Sequence, residues 1–546
     1  MDYNKLADLL YPNITKTPAD YDEIYPPREL PQGAKVVRFA PSPTGYMHIG
    51  NLFSALIDKL AADSSNGIFY LRIEDTDKKR EVDDAIDHII SGLSSYGIIP
   101  QEGIMSQIDE IGNYGPYKQS LRCEIYHTFA KELIQKGYAY PCFCSEDDLA
   151  ANVEQQEKEG VQTGYYGKWA KCRDLTFEEI EEHINNGDSF VIRLKSQGDE
   201  NKKIIVNDEI KGKLEMPENT QDAVLIKSDG IPPYAFAHAV DDHLMRTTHV
   251  VRGDEWVSSL PTHIQIHQYL GLKAPKYAHI SPIMKLDDGN KRKLSKRKDP
   301  EAAVAYYEEV GYPEGGVLEY LMGIANSNFE DWRRANPDAD LRSFPFSFKK
   351  MSASGALFDL LKLNDVCKNV ISKMSAEEVY DYAIGWAEKY DKELYTLLGS
   401  DSDFAVEIFK IDRYNKKPRK DIYAWSQVKD YVSYFYNEIF DKNITFPEDF
   451  AKEDINAILE AYAKVYDENH DKDQWFETMK SICEPLGYTP NVKEYKADPD
   501  KFKGHVGDVS TVIRVAVTNR TNTPDLYSIL KLLGKDEVLA RLSVRV

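Results

Sequence analysis

One segment constrains this chain more than any other: Arg38-Phe-Ala-Pro-Ser-Pro-Thr-Gly-Tyr-Met-His-Ile-Gly-Asn51. A short apolar strand carrying Val36 and Val37 runs into it, and an amphipathic helix runs out. The turn between them holds Pro41, Pro43, Gly45, His48 and Gly50. Proline fixes φ and removes amide donors, while glycine lets the backbone come close to a ligand. A strand that breaks into a helix N-terminus beside such a turn is a natural phosphate site, because the first amides and the helix dipole both favour an anion. By itself the segment says that a nucleotide docks where a strand meets a helix.

The chain after Gly50 keeps this alternation. Leu52, Phe53, Leu56, Ile57 and Leu60 form one apolar stripe of a helix. Asp63-Ser-Ser-Asn-Gly67 ends it, and Ile68-Phe-Tyr-Leu-Arg-Ile73 reads as a buried strand. Helices near 81–97 and 121–137 follow, with a strand at Ala139-Tyr-Pro-Cys-Phe143. This alternation predicts a parallel sheet with helical crossovers. Between about 142 and 222 the pattern changes to Glu- and Gln-rich stretches, a Thr176-x-x-Glu179 capping box and short strands near 190–194 and 203–207, which predict an inserted α+β module. The sheet pattern resumes at Ala223-Val-Leu-Ile226 and His249-Val-Val-Arg252. From about 350 the chain reads as helical. A Ser375-Ala-Glu-Glu378 box precedes a stripe of Val379, Tyr382, Ala383 and Trp386, and short helices from Val512 to Leu542 break at Thr523-Pro524 and Gly534. Residues 1–35, with Pro12, Pro18, Pro26, Pro27 and Pro31, predict an irregular extension after a short helix near 2–10.

At 546 residues the chain has room for several domains, each with its own core. No apolar run approaches membrane-spanning length. The start, Met1-Asp-Tyr-Asn-Lys-Leu-Ala-Asp, lacks a signal peptide's basic region and apolar core, so a cytoplasmic protein is expected. The six cysteines are then expected as thiols or metal ligands rather than disulfides. The formal net charge of −22 opposes non-specific nucleic-acid binding, since phosphate contacts need Lys and Arg. Binding depends on local patches, however, and two dense basic runs exist: Lys291-Arg-Lys-Leu-Ser-Lys-Arg-Lys298 and Lys416-Lys-Pro-Arg-Lys420. Such runs are either solvated faces or contact sites. An acidic chain that does bind nucleic acid would recognise it by shape and specific contacts.

Lys293-Leu-Ser-Lys-Arg297 is the second signature. Two lysines spaced by Leu-Ser can converge on the β- and γ-phosphates of ATP from a flexible loop, and Asp287-Asp-Gly-Asn290 just upstream is a turn signal. His48-Ile-Gly-Asn51 is a variant of the HIGH tetrapeptide, and the later pentapeptide matches the KMSKS loop. With the two in this order the chain resembles the class I aminoacyl-tRNA synthetases, specifically the bacterial-type glutamyl-tRNA synthetases, over about residues 36–546. The resemblance implies an α/β, Rossmann-like nucleotide-binding fold with an inserted α+β acceptor-binding module and an all-α C-terminal anticodon-binding region. It divides the chain into an N-terminal extension (1–35), a first catalytic half (36–141), the inserted acceptor-end module (142–222), a second catalytic half with the KMSKS-like loop (223–300), a helical junction that contacts the tRNA stem (301–365) and a helical anticodon-binding region (366–546). Members usually begin only a few residues before Arg-Phe-Ala-Pro, so the extension departs from the pattern.

The chemistry implied is in-line attack of an amino-acid carboxylate on the α-phosphorus of ATP, which asks for positioning and charge neutralisation rather than a protein nucleophile. His48 would donate to phosphate oxygens, and Lys293 and Lys296, with Mg²⁺, would neutralise the leaving pyrophosphate. By resemblance ATP lies against Pro41, Thr44, Gly45, His48, Gly50, Asn51, Glu255 and Lys296. Free glutamate carries two carboxylates and one ammonium, a demand met by two arginines, a carboxylate and a tyrosine hydroxyl. The implied glutamate contacts are Arg38, Ala40, Ser42, Glu74, Tyr234, His238 and Arg252. Each could instead serve the fold, and which arginine takes the side-chain carboxylate is open. Members commonly carry Pro-Thr-Tyr-His-Phe-Ala-Asn where this chain has Pro233-Tyr-Ala-Phe-Ala-His238. His238 thus stands at the Asn position, which predicts a pH-dependent glutamate affinity.

Cys142-Phe-Cys144 opens the insert, and Cys172 follows Tyr165-Tyr-Gly-Lys-Trp-Ala-Lys. Zinc-binding relatives close a Cys-x-Cys pair with a Tyr-x-Gly-x-Cys type of segment; here that close is stretched, with Trp169 where the shorter pattern has Cys. Three thiolates plus Tyr166 or a nearby His suit tetrahedral Zn²⁺, and three ordinary buried thiols are the alternative. Tyr114-Gly-Pro-Tyr-Lys-Gln-Ser120 and the insert resemble the family's acceptor-end region, and the tail from Arg514 to Gly534 resembles its helical anticodon part. Tyr414, Tyr423 and Trp425, around the second basic run, are either stacking platforms for anticodon bases or core aromatics. The implied reaction joins L-glutamate to tRNA(Glu) through glutamyl-adenylate, releasing pyrophosphate and then AMP. Bound tRNA would be needed before activation, and a monomer is expected. The alternatives are a glutaminyl-tRNA synthetase, disfavoured by the two arginines and the helical C-terminal half, and a catalytically silent tRNA-binding paralogue, disfavoured by intact His48, Lys293 and Lys296.

Overall fold

In the computed structural model, which describes residues 1–77, 82, 84–295 and 297–545, the strand Val36–Phe39 lies inside a parallel sheet. Val36–Phe39, Ile68–Leu71 and Glu102–Ile104 pair in parallel, with Val36 opposite Ile68 and Tyr70 opposite Glu102. His249–Gly253 and Lys276–Ile280 form a second parallel pair. Thr248 joins the two groups: its amide donates to Val36 O at 2.9 Å, and its Oγ1 accepts from Val36 N at 2.8 Å. From one edge the order is therefore 110–111 (antiparallel to its neighbour), 102–104, 68–71, 36–39, 249–253, 276–280. All four residues of Val36–Phe39 are buried, as expected of a parallel strand covered on both faces. The helix Ile49–Asp63 buries the predicted stripe of Leu52, Phe53, Leu56, Ile57 and Leu60 against this sheet. The order in which strands are added reverses between Val36–Phe39 and His249–Gly253, and ligands of open α/β sheets bind outside the carboxyl ends of the strands at such a point.

Two strands differ from the sequence reading. Ala139–Cys142 and Val224–Ile226 were expected in the parallel sheet, yet both pair antiparallel with Val191–Leu194. They form the insert's own three-stranded sheet, which therefore reaches beyond 142–222 on both sides. Apolar runs announce a buried strand but not its partner. The insert also carries a hairpin, Lys203–Asp208 with Gly212–Pro217, and helices Glu146–Glu159 and Phe177–Asn185, each opened by a capping box.

Residues 1–35 are more regular than predicted. Besides Tyr3–Leu10 there is a helix Pro18–Ile24, opened by a Thr17/Asp20 capping box with proline at the first position. The extension is tied to the edge of the sheet. Arg28 forks onto Glu102 at 2.7 and 2.9 Å and lies 3.8 Å over the Tyr114 ring. Tyr25 OH donates to Gly115 O at 2.7 Å, and Arg246 pairs with Asp22 at 2.8 Å.

The chain divides into two units, one of Met1–Tyr306 with Leu318–Asp359, the other of Tyr307–Val317 with Leu360–Val546. The expected junction 301–365 is thus not a body of its own. Tyr307–Val317 belongs to the second unit, where Gly311 O accepts from Trp425 N at 2.8 Å and Gly316 fits under Cys367 with no room for a Cβ. That unit is helical apart from the two-residue pair Tyr488–Thr489 and Gly504–His505. It has two cores, one around Val379, Ala383, Leu398, Ile408 and Val428, the other around Ile458, Val509, Ile513, Leu530 and Val538. The predicted tail is Val506–Thr518, Leu526–Leu533 and Lys535–Leu542. Of the three stacking candidates, Trp425 is buried in the first core against Tyr382, Tyr423 stacks on Tyr312, and Tyr414 alone is exposed.

Candidate functional site

The carboxyl end of Val36–Phe39 opens into a cavity of about 540 Å³ at the reversal point of the sheet. Arg38, Ala40, Pro41 and Ser42 line it as the chain leaves the strand. His48, Gly50 and Asn51 line it from the first turn of the following helix. Glu74 enters from beyond Ile68–Leu71, Arg252 and Glu255 from the end of His249–Gly253, Tyr234 from the helix Tyr234–Leu244, and Lys293 from a hairpin. Thr44 and Gly45 line an adjoining hollow of about 270 Å³ that shares Pro41, Ser42 and Asn51. Gly45 sits at φ +142°, which a side chain would strain. Lys296 lies outside the described residues.

His48 is the N-cap of its helix. Its Nδ1 accepts from Gly50 N at 2.9 Å, while Asn51 Oδ1 accepts from His48 N at 3.2 Å, a capping box built from His and Asn. With Nδ1 an acceptor, the neutral ring carries its proton on Nε2, a donor suited to a phosphate oxygen. A Cβ on Gly50 would stand 3.1 Å from Nδ1, close enough that the ring would have to shift by a few tenths of an ångström.

Lys293 ends a hairpin of Met284–Asp287 and Asn290–Lys293, turned by Asp288 and Gly289 in left-handed backbone. Arg292 fastens its base, forking onto Asp299 at 2.6 and 2.7 Å and donating to Asp287 at 2.5 Å. Hydrogen bonds from Arg292 hold the Asp299 carboxyl far below its ordinary range, and it also accepts Ser295 N at 2.9 Å.

The other end of the cavity is built from buried charge. Arg38 donates from Nε to Asp242 at 3.2 and 3.3 Å and from Nη1 to Val251 O at 3.3 Å. Asp242 also receives Arg72 Nη1 at 2.7 Å, and Arg72 Nη2 holds Glu74 at 3.0 Å. Burial pushes Asp242 up, but Arg38 and Arg72 outweigh it and hold the carboxyl well below its ordinary value. Burial raises Glu74, against the pull of Arg72 and Arg38. Arg252 is different, because its partners are neutral. Nε donates to His279 Nε2 at 3.0 Å, and Nη1 to His263 Nδ1 at 3.0 Å and Tyr234 OH at 3.3 Å. Among the described residues no carboxylate pairs with it. A guanidinium buried without a counter-ion is an anion site, since the missing charge must come from a ligand.

His238 requires a correction. It does not line the cavity but is wholly buried one helical turn behind Tyr234, with ring centroids 5.3 Å apart. Its Nδ1 abuts the Asp242 carboxylate, and its Nε2 is 3.4 Å from Tyr277 OH. Burial holds its pKa down at about 3 in spite of Asp242. Burial thus favours the neutral ring, which with its place behind Tyr234 opposes the pH-dependent glutamate affinity expected from the sequence.

The sequence reading missed Asp242, Arg72 and the pair Asp208–His279. One signal was available: two consecutive carboxylates, Asp241 and Asp242, follow Phe236, Ala237, Ala239 and Val240 on an otherwise buried helix, and buried carboxylates need cationic partners. Asp241 finds Arg122 at 2.7 Å and Tyr126 OH at 2.7 Å.

Away from the cavity, the sulfurs of Cys142, Cys144 and Cys172 lie within 4.8 Å of one another. Tyr165 OH stands 3.3 Å from Cys142 Sγ and 3.2 Å from Cys144 Sγ. Tyr166, the expected fourth donor, instead donates to Gln162 O at 2.6 Å. A hydrogen bond from Cys172 lowers the Cys142 thiol and so favours a thiolate there. Three sulfurs and a phenol oxygen converging on one point fit a tetrahedral thiophilic cation.

Residues 35–334 match the family described as tRNA synthetases class I (E and Q), catalytic domain, and residues 495–545 match an anticodon binding domain. The chain is 52% identical over 546 residues to a glutamate–tRNA ligase of Clostridium perfringens, covering 99% of this chain and 100% of that relative. It is 51% identical over 543 residues to that of Acetivibrio thermocellus, covering 99% of each. Among solved structures it is similar to a glutamate tRNA ligase from Elizabethkingia meningosepticum in complex with its amino acid, with TM-score 0.73 and 26% identity over 93% of this chain and 98% of that one.

Proposed function

The chain belongs to the class I tRNA synthetases for glutamate and glutamine, and from that premise we propose that it attaches L-glutamate to tRNA(Glu) by way of glutamyl-adenylate. The observation that favours glutamate is Arg252, buried against the cavity with only neutral partners, facing a wall that also holds Arg38. Glutamine brings one carboxylate where glutamate brings two, so it would supply this arginine-lined wall with one negative charge fewer, and unmatched buried charge discriminates strongly.

In the first step a carboxylate oxygen of glutamate attacks the α-phosphorus of ATP, and pyrophosphate leaves in line. Glu74 faces the ammonium, and Tyr234 with the arginines faces the carboxylates. Nε2–H of His48 and the amides of the helix after it meet the phosphates, and Lys293 neutralises developing charge on the leaving group, the role also expected of Lys296. Mg²⁺ bound with ATP would supply further charge neutralisation to the leaving group. In the second step the terminal 2′-hydroxyl of tRNA attacks the adenylate carbonyl and AMP leaves. In this reading residues 36–138 and 227–300 form the catalytic halves, the insert with its own sheet (139–226) meets the acceptor end, and 366–546 meets the anticodon. Cys142, Cys144 and Cys172, with Tyr165, would hold Zn²⁺ as a brace at the entry to the insert.

The test is charging of purified tRNA(Glu) and tRNA(Gln) with labelled glutamate and glutamine. Glutamate on tRNA(Glu) is the expected product. Faster use of glutamine would assign the protein to the glutaminyl branch, and no charging at all would make it a silent paralogue. Pyrophosphate exchange with and without tRNA then asks whether activation waits for tRNA; equal rates would contradict that expectation.

A further inference from the structure

The insert reaches the wall of the cavity through the turn between Lys203–Asp208 and Gly212–Pro217. Glu209 N donates to Tyr277 O at 2.8 Å, and Lys211 Nζ reaches Ser281, a cavity residue, at 2.7 Å. Asp208 is the buried centre of this junction. Its Oδ1 accepts the amides of Ile210 and Lys211 at 2.9 and 2.8 Å, which shapes the turn. Its Oδ2 faces His279, 2.6 Å from Nδ1 and 3.1 Å from the amide. On the far side of the fully buried ring, Nε2 faces Arg252 Nε at 3.0 Å. An arginine nitrogen only donates, so Nε2 must accept; the proton then sits on Nδ1 and is given to Asp208. A carboxylate that fixes a histidine tautomer fixes what the other nitrogen can do.

We propose that Asp208 of the inserted module, by setting the tautomer of His279, positions the Arg252 guanidinium, so that the insert helps to determine how tightly the amino acid is held. This rests on the reading of Arg252 as a carboxylate ligand. Neither Asp208 nor His279 lines the cavity; both are positioning residues. The alternative is that Asp208 only pins its turn.

Asp208→Asn separates the two roles. Its amide oxygen can keep the turn's amides, but its NH₂ then faces His279 Nδ1. The ring must move its proton to Nε2, where it opposes the N–H of Arg252. Loss of one hydrogen bond to a buried charge should raise KM for glutamate about tenfold or more, with KM for ATP little changed. His279→Leu, which removes the acceptor while leaving Asp208 its bonds to the turn amides, should give the same glutamate-selective rise. His279→Gln can offer oxygen to Arg252 and N–H to Asp208 from one amide. It should stay near wild type, and Asp208→Asn added to it should have a smaller effect than in the wild type. KM for glutamate and ATP rising together, an undiminished Asp208→Asn effect when His279→Gln is also present, or an unchanged KM in His279→Leu would each overturn the proposal, the last even if Asp208→Asn fails to fold. Arg252→Gln is the control. If it leaves KM for glutamate unchanged, the reading of the pocket has failed; if it raises KM while the others do not, the proposal alone has.

Discussion

Asp242→Asn tests the charge economy of the site at its centre. It removes one anion at nearly constant volume. Arg38, Arg72 and Asp242 are 3%, 0% and 1% exposed, so no water can take over. Breaking a buried ion pair by removing one partner destabilises by about 3–5 kcal/mol. Arg72 keeps Glu74 at 3.0 Å and Asp241 at 3.9 Å, but Arg38 exchanges its counter-ion for neutral acceptors, the carbonyl of Val251 and the new amide oxygen. The loss should therefore sit near the lower end, about 3 kcal/mol. It would be read by urea unfolding of the transition that includes the catalytic unit. The pH dependence follows from the depressed carboxyl of Asp242. Its contribution is fully present above the ordinary value of 3.8 and is lost only as pH falls through the lower folded value. His238, held at about 3, costs wild type and variant alike as pH falls below the ordinary histidine value of 6.5, so its contribution cancels from the difference between them. The gap between wild type and variant should be flat from about pH 8 to about pH 5 and close only in strong acid. A gap under about 1 kcal/mol, the range of exposed ion pairs, or one that narrows between pH 8 and 5 would refute the assignment of Asp242 as the shared buried anion.

Three further outcomes are expected. His48→Ala should lose about 1 kcal/mol of stability as a missing cap and slow adenylate formation about 100-fold as a missing donor; His48→Asn should recover the stability but not the rate, and recovery of both would mean the ring only caps its helix. Arg28→Met breaks the largely buried fork on Glu102, with side chains 7% and 17% exposed, and should lower the melting temperature while leaving turnover at 25 °C nearly unchanged; reduced turnover without a lower melting point would give the extension a role in catalysis. Metal analysis of purified protein should find about one zinc per chain, and Cys144→Ser should lose it together with thermal stability; under a tenth of an equivalent in the wild type would mean three ordinary thiols.

The sequence by itself determined what is local. Strand, Pro/Gly turn and helix N-terminus around His48 are set by φ restrictions and by an acceptor side chain next to free amides. The boxes at Thr176, Ser375 and Thr17 are likewise set within one turn, although the last lies in a proline-rich stretch where it is easily overlooked. Lys293 is placed by Asp288-Gly289, whose left-handed backbone dictates a tight hairpin. Tertiary structure alone decided partnership. Nothing local tells Val224–Ile226 to pair with Val191–Leu194 rather than with the parallel sheet, because a buried strand offers the same edge to any neighbour. Nothing local separates His238 from Tyr234, which share a helix face but stand one turn apart in depth, so that one borders the cavity and the other is sealed behind it. The difference between Arg38, matched by Asp242, and Arg252, matched by no carboxylate among the described residues, is also invisible along the chain. It depends on which side chains from distant segments arrive within hydrogen-bond reach, and in a buried site that arrival decides whether a charge supports the fold or waits for a ligand.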